Sequence, residues 1–244
     1  LLLDRFDSRL RRRADIEAVT GLSVLAEIPP LTRQQQHSQE VITHTQHRSR
    51  AAEAYRVVRG AMLFDLSARE RAQRDPKGAT VVMVTSSNPA EGKTTTVANL
   101  ATVLAEGGFR VLVINCDFRR PQVQRYLLAA PGAKNGAGSE VARVGSVVVT
   151  DTIIDRVRLV SGLGENDPDA NPLDVLAMQR KVIQATRSSF DMILLDTAPL
   201  LTTNDASELL SVTDQVLLVV RAGKTKVEAA RRVVDVLDRF KAPV

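Results

Sequence analysis

The sequence predicts an α/β fold, a mostly parallel sheet with helices on both faces, and three observations carry that expectation. Short runs of β-branched and aliphatic residues recur along the chain, with helical periodicity between them. The runs are apolar throughout instead of alternating, the pattern of strands buried on both faces. The chain is 244 residues long, 44% hydrophobic and 25% charged, which suits one such domain with an extension.

Taken in order, residues 1–20 read as a polar, mostly helical segment, followed by Gly21 and a short apolar piece, 24–28, that Pro29 and Pro30 end. Gln, His, Ser and Thr enrich residues 31–50, the composition of a linker. Its three histidines have no cysteine or carboxylate cluster beside them, which argues against a metal site there. Residues 1–50 are therefore taken as leader and linker, and 51–244 as the folded domain. Tyr55, Val58, Met62, Leu63 and Leu66 recur at helical spacing, so a helix is expected over 51–73. Strands follow at 79–85, 110–116, 157–160, 192–195 and 215–220. Helices are expected at 94–106, 121–129, 172–188, 205–210 and 227–240, a loop at 131–139, and the start of a further strand at 242–244.

The net charge of +5 is unevenly placed: residues 1–74 hold 13 Lys and Arg against 9 Asp and Glu, the remainder 20 against 19. Arg9, Arg11, Arg12 and Arg13 crowd the basic leader. Either they form a solvated face or they attract anionic lipid headgroups. No aromatic side chains interleave with them, so stacking on single-stranded nucleic acid has no support. No run reaches the roughly 18–20 apolar residues that cross a bilayer. The opening Leu1-Leu2-Leu3, without an initiator Met and followed by the basic cluster, is nevertheless what a fragment cut at the cytoplasmic edge of a transmembrane helix would show. The single cysteine, Cys116, excludes an internal disulfide and suits a reducing compartment.

Between the strand at 79–85 and the helix at 94–106 lies Ser86-Ser87-Asn88-Pro89-Ala90-Glu91-Gly92-Lys93-Thr94-Thr95. Gly-Lys-Thr in a strand–loop–helix setting closes a phosphate-binding P-loop, so the α/β fold is expected to be a P-loop NTPase. Residues 87–95 are the nucleotide-binding candidates: their backbone N–H groups, Pro89 excepted, and the positive end of the helix receive phosphate oxygens. Lys93 adds charge toward the β- and γ-phosphates, and the Thr94 hydroxyl is placed to ligate Mg²⁺. Two positions depart from the common pattern. Ser87 stands where the first Gly of the motif would be, and Ala90 occupies a loop position that often needs Gly, where a methyl requires a negative or mildly strained φ.

Two apolar strands end on acids, Asp117 and Asp196. In open α/β sheets ligands lie outside the carboxyl ends of the strands, so both acids are expected beside the phosphate loop. Each either serves the metal and the reacting end of the nucleotide or merely caps the following segment. Arg119 and Arg120 either neutralise a transferred phosphoryl group or pair with surface acids.

Together these residues resemble the catalytic domain of the bacterial tyrosine kinases of the polysaccharide co-polymerase system, over residues 16–240. Three nucleotide motifs match in order: 86–95; 111–121 with its Asp117-Phe118-Arg119-Arg120-Pro121; and 193–199. Glu53, Arg56 and Arg59 are similar to the family's Glu-x-x-Arg-x-x-Arg oligomerisation helix, and residues 21–30 resemble the piece that follows the second transmembrane helix in such proteins. The resemblance implies ATP and Mg²⁺ as cofactors, with Lys93, Asp117 and Asp196 catalytic and Thr94, Asp117 and Asp196 on the metal. It implies tyrosine autophosphorylation that regulates exopolysaccharide or capsule chain length and export at the cytoplasmic face of the bacterial inner membrane. The implied partners are further copies of the chain, forming a ring, and a membrane-anchored chain-length regulator, fused or separate; nucleic acid is not among them. Partition and septum-site ATPases are the neighbouring group, but their additional lysine five residues before the loop lysine is here Asn88. Two departures from the kinase pattern stand out. The acid usual two residues before Asp117 is Asn115, and no tyrosine-rich tail lies within a sequence that reads as truncated near Val244, which holds only Tyr55 and Tyr126. Asn cannot take up a proton, which keeps a catalytically weakened, nucleotide-switched assembly module as the alternative.

Overall fold

The computed structural model describes residues 8–72, 78–128, 139–145, 147–164 and 171–244. Four helices come first: α1 (Arg13–Thr20), α2 (Arg33–His37), α3 (Ile42–Thr45) and α4 (Arg50–Ala72). The alternating body follows as β1 (Thr80–Ser86), α5 (Lys93–Glu106), β2 (Val111–Asn115), α6 (Gln124–Leu127), β3 (Glu140–Val144), β4 (Val147–Asp151) and β5 (Val157–Val160). It ends with α7 (Pro172–Thr186), β6 (Met192–Asp196), α8 (Asp205–Leu209), β7 (Gln215–Val219) and α9 (Val227–Arg239).

The strands make one sheet in the order β3-β4-β5-β2-β6-β1-β7. The five strands β5-β2-β6-β1-β7 are parallel, and the hairpin β3–β4 extends the β5 edge antiparallel. The continuous apolar runs are explained by burial on both faces. Val82 and Val84 of β1 pack into one core with Tyr55, Val58 and Met62 of α4 and Val97, Leu100 and Leu104 of α5. Val81 and Met83, one residue out of phase, pack into the other with Val182 and Ile183 of α7, Leu209 of α8 and Val233 and Leu237 of α9. Asn171 caps α7, its side chain accepting from the Leu173 N–H, with Pro172 at the first turn. In α9, Ala230, Val233 and Leu237 face the core while Arg231, Arg232, Asp235 and Asp238 remain exposed.

β6 lies between β1 and β2, so the segment from β1 through α5 to β2 leaves a place that the later strand fills. The register puts Asp196 opposite Val84 on one side and Asn115 on the other. Three strand ends and the phosphate loop therefore open onto one crevice.

Several expectations need correction. Residues 31–50 form α2 and α3, and Val41, Ile42 and Thr43 are buried. The reason is Asn99 on α5, whose side chain accepts from the Thr43 N–H at 2.9 Å and pins the segment to the domain. Residues 8–10 are extended, not helical: Leu10 donates to Thr225 O and its own carbonyl accepts from Gly223 N. The helix expected over 121–129 is the single turn α6, and residue 129, like 1–7, 73 and the loop at 131–138, falls outside the described residues. The hairpin β3–β4 was not expected. Residues 242–244 form no strand, although Val216 N donates to Pro243 O at 2.8 Å beside β7.

Gly78 opens β1 with φ +71°, and a Cβ there would sit 2.8 Å from the Arg187 carbonyl oxygen that the Ala79 N–H uses. Gly78→Ala is expected to destabilise the chain by about 1–3 kcal/mol in urea unfolding, since both backbone strain and a displaced hydrogen bond result.

Candidate functional site

β1 ends on Ser86, and residues 87–92 turn the chain into α5. Gly92, at φ +109°, supplies the left-handed residue from which the helix starts. Ala90 also adopts a positive φ, +58°, a conformation that costs an L-residue about 1–2 kcal/mol. The expectation of a mildly strained methyl is therefore met. Inside the loop the Asn88 N–H donates to Glu91 Oε2 at 3.0 Å, and Ser86 Oγ donates to the Asn88 carbonyl at 2.8 Å. Glu91 is buried and its carboxylate is engaged within the protein, so it shapes the loop from behind. Ser87 Oγ is buried with no hydrogen-bond partner among the described residues.

Lys93, the first residue of α5, is buried. Burial pushes its pKa down, and the nearby Asp196, Asp117 and Glu91 pull it back up. Thr94 Oγ1 donates to Asp196 Oδ1 at 3.2 Å. Asp196 is almost fully buried, and burial pushes its carboxyl up to about 7, against the opposing Thr94 bond and Lys93 charge. Asp117 is half-buried and also raised, again chiefly by burial. Its Oδ1 accepts from the Arg120 N–H at 3.1 Å, so the capping role is real, and it leaves Oδ2 for a ligand. The structure thus brings Lys93, Thr94, Asp117 and Asp196 together at the carboxyl ends of three strands. A positive cradle of N–H groups beside hard oxygen donors is suited to a polyanion with a divalent cation.

The loop after β6 is fixed by bonds to β1: Thr197 Oγ1 donates to Val84 O, Thr85 Oγ1 to Ala198 O, and Leu200 N to Ser86 O. Asn115 is fully buried, and its Oδ1 accepts from the Asp117 N–H at 3.2 Å. It positions Asp117 without supplying a second acid. Of the two alternatives for Arg119, pairing is what occurs: its guanidinium donates to Asp205 Oδ2 at 2.7 Å and lies over the Phe118 ring.

Tyr55 and Tyr126 brace the first turn of α5. Tyr55 is buried on α4, and burial pushes its hydroxyl up to about 12, partly offset by a hydrogen bond with Thr96. Tyr126 Oη lies 3.1 Å from Thr95 Oγ1. Glu53, Arg56 and Arg59 are not in this crevice. Arg56 pairs with Glu53 and with Glu106 of α5, and Arg59 donates to Val103 O, so within one chain they dock α4 on the far end of α5. Sequence reasoning missed Arg221, Lys224 and Thr225, which touch the phosphate loop from the turn between β7 and α9. The available signal was a Gly-Lys-Thr turn leaving the carboxyl end of a strand beside β1.

Asp196 gives a stability prediction. Its folded pKa lies above the ordinary carboxylate value, so between about pH 4 and 7 the folded chain holds a proton that the unfolded chain has released. Stability contributed by this group therefore falls as pH rises through that window. Asp196→Asn is expected to flatten the decline in Tm between pH 5 and 8 relative to the parent chain; parallel profiles would show that Asp196 is not the group responsible.

The chain matches the AAA domain family over residues 79–243. It is 30% identical over 210 residues to the tyrosine-protein kinase YwqD of Bacillus subtilis, covering 83% of this chain and 81% of YwqD. Against the putative tyrosine-protein kinase EpsB of Ralstonia solanacearum it is 30% identical over 94% of its own length, but spans only 31% of EpsB. Among solved structures, the BceF tyrosine kinase domain superposes with a TM-score of 0.77 at 21% identity, covering 97% of this chain and 96% of that one. The kinase domain of the Escherichia coli tyrosine kinase ETK gives 0.74 at 21%, covering 95% and 89%. These two share the fold. The chain is thus a member of the AAA domain family and, within it, of the bacterial tyrosine-protein kinases.

Proposed function

We propose that this domain is a Mg²⁺-ATP-dependent protein-tyrosine autokinase that regulates exopolysaccharide or capsular polysaccharide chain length and export. The observation that carries the reading is the gathering of Lys93, Thr94, Asp117 and Asp196 around the phosphate loop. In this reading the N–H groups of 90–95 hold the phosphates and Lys93 neutralises charge on the γ-phosphoryl group as it transfers. Thr94 ligates Mg²⁺ and Asp196, bonded to Thr94, holds a metal-bound water. Asp117 Oδ2 orients the attacking tyrosyl oxygen or a second metal-bound water. The unpartnered Ser87 Oγ is consistent with a polar ligand in the loop. The acceptor is not Tyr55, which is buried in the core.

The polysaccharide role is supported by the names of relatives, among them the succinoglycan biosynthesis transport protein ExoP of Rhizobium meliloti, 28% identical over 147 residues. The same kinship supports a place at the cytoplasmic face of the inner membrane, beside a membrane-anchored regulator. Assembly with further copies through α4 is supported by Val57 and Phe64, exposed on the helix that carries Glu53, Arg56 and Arg59. Among the described residues no helix is long and apolar enough to cross a membrane.

One observation favours a second reading, a weakened nucleotide switch. Asn115 is buried at the reacting end and cannot accept a proton. General-base assistance is worth roughly 10²–10⁴-fold.

The test offers a tyrosine-containing acidic peptide and Mg²⁺-ATP to the chain and counts phosphotyrosine by mass spectrometry. The parent chain is expected to phosphorylate and Lys93→Met to lose transfer; nucleotide binding without any phosphotyrosine would rule out the kinase assignment. Asn115→Asp is expected to raise the transfer rate by about a hundredfold, the low end of that range. An unchanged rate would show that position 115 does not limit turnover.

A further inference from the structure

The turn between β7 and α9, residues 220–226, reaches across to the phosphate loop and bonds to it at Pro89, Ala90 and Glu91. Thr225 is fully buried, and its Oγ1 donates to Glu91 Oε1 at 2.6 Å while accepting from the Arg221 N–H at 3.0 Å. Glu91 carries the contact into the loop, because its other oxygen, Oε2, holds the Asn88 N–H. Arg221 Nη1 donates to the Ala90 carbonyl at 2.9 Å, and Lys224 Nζ lies 3.2 Å from the same oxygen and 3.3 Å from the Pro89 carbonyl. The turn is itself held from behind by Leu10, whose N–H and carbonyl pair with Thr225 O and Gly223 N.

This arrangement answers two difficulties of the loop. Ala90 sits at positive φ without glycine's freedom, and a conformation of that kind persists only where the surroundings over-determine it. Its carbonyl, with two cationic donors, is the most heavily engaged oxygen of the loop. Peptide units whose carbonyls are drawn outward by cations turn their N–H groups inward, which is what an anion-binding nest requires. The buried Glu91 carboxylate would be costly without partners, and Thr225 and the Asn88 amide supply them.

We infer that Thr225, acting through Glu91, and Lys224 and Arg221, acting through the Pro89 and Ala90 carbonyls, are positioning residues that preset the phosphate loop for the triphosphate. The inference rests on the nucleotide-binding reading of the site. Lys224 also lies close enough to Lys93 to lower its pKa, so its charge adds to the positive field at the phosphates.

The test is a fluorescence titration of the full chain with a mant-labelled ATP at fixed Mg²⁺, with thermal melts in parallel. Thr225→Val removes the hydroxyl at constant shape and is expected to weaken binding by about tenfold or more, the effect of losing one bond to a buried charge. Thr225→Ser, which keeps the hydroxyl, is expected to restore affinity to within about twofold. Because Thr225→Val also leaves the Arg221 N–H without its partner, Lys224→Gln, at an exposed side chain, supplies the independent variant: about three- to fivefold weaker binding with an unchanged Tm. Combining Thr225→Val with Glu91→Gln should weaken binding by less than the product of the two single effects. If the parent chain binds and both Thr225→Val and Lys224→Gln bind as tightly, the clamp is wrong while the nucleotide site stands. If the parent chain itself fails to bind, the nucleotide-binding reading falls and the clamp with it.

Discussion

Lys93 is a buried cation, and its charge is supported by Asp196 and Asp117, which arrive beside it from two other strands, and by Glu91 of its own loop. That grouping organises the remainder of the molecule. Asp196 reaches Lys93 because β6 is inserted between β1 and β2, and Asp117 because β2 ends one strand further along. Burial disfavours all three charges separately, lowering the lysine and raising both carboxyls. A phosphate beside Lys93 and a divalent cation beside the two carboxylates would each favour the charged form that burial disfavours.

Support for this cluster comes from outside the motifs. Thr197, Thr85 and Leu200 lash the loop after β6 to β1, so the acid strand and the phosphate strand move as one. Tyr55 and Tyr126 hold the first turn of α5 from α4 and α6. The turn after β7 closes the back of the loop through Glu91 and Ala90. The braces from α4, α6 and the turn after β7 each contact a residue within a few positions of Lys93.

The parallel sheet and the identity of the crevice residues were legible in the sequence because both leave local marks: continuous aliphatic runs for doubly buried strands, and Gly92-Lys93-Thr94 between a strand and a helix. What escaped was set by distant partners. Residues 31–50 look like a linker by composition, and only Asn99, far along the chain, turns Ile42–Thr45 into a buried helix. The segment at 8–10 is extended because the turn at 223–227 offers it pairing. The β3–β4 hairpin lies at the sheet edge, where the Glu140–Val144 strand is largely exposed and carries no apolar run to announce it. The direction of the Glu91 carboxylate, turned to Thr225, has no local mark in the sequence.

The central claim, that Lys93, Thr94, Asp117 and Asp196 form one Mg²⁺-nucleotide site, is tested most directly by a crystal structure with Mg²⁺ and a non-hydrolysable ATP analogue. The account predicts phosphate oxygens on the N–H groups of 90–95, Mg²⁺ about 2.1 Å from Thr94 Oγ1, and Asp196 one water away from the metal. A nucleotide seated elsewhere, or a metal held without Thr94 and Asp196, would contradict it.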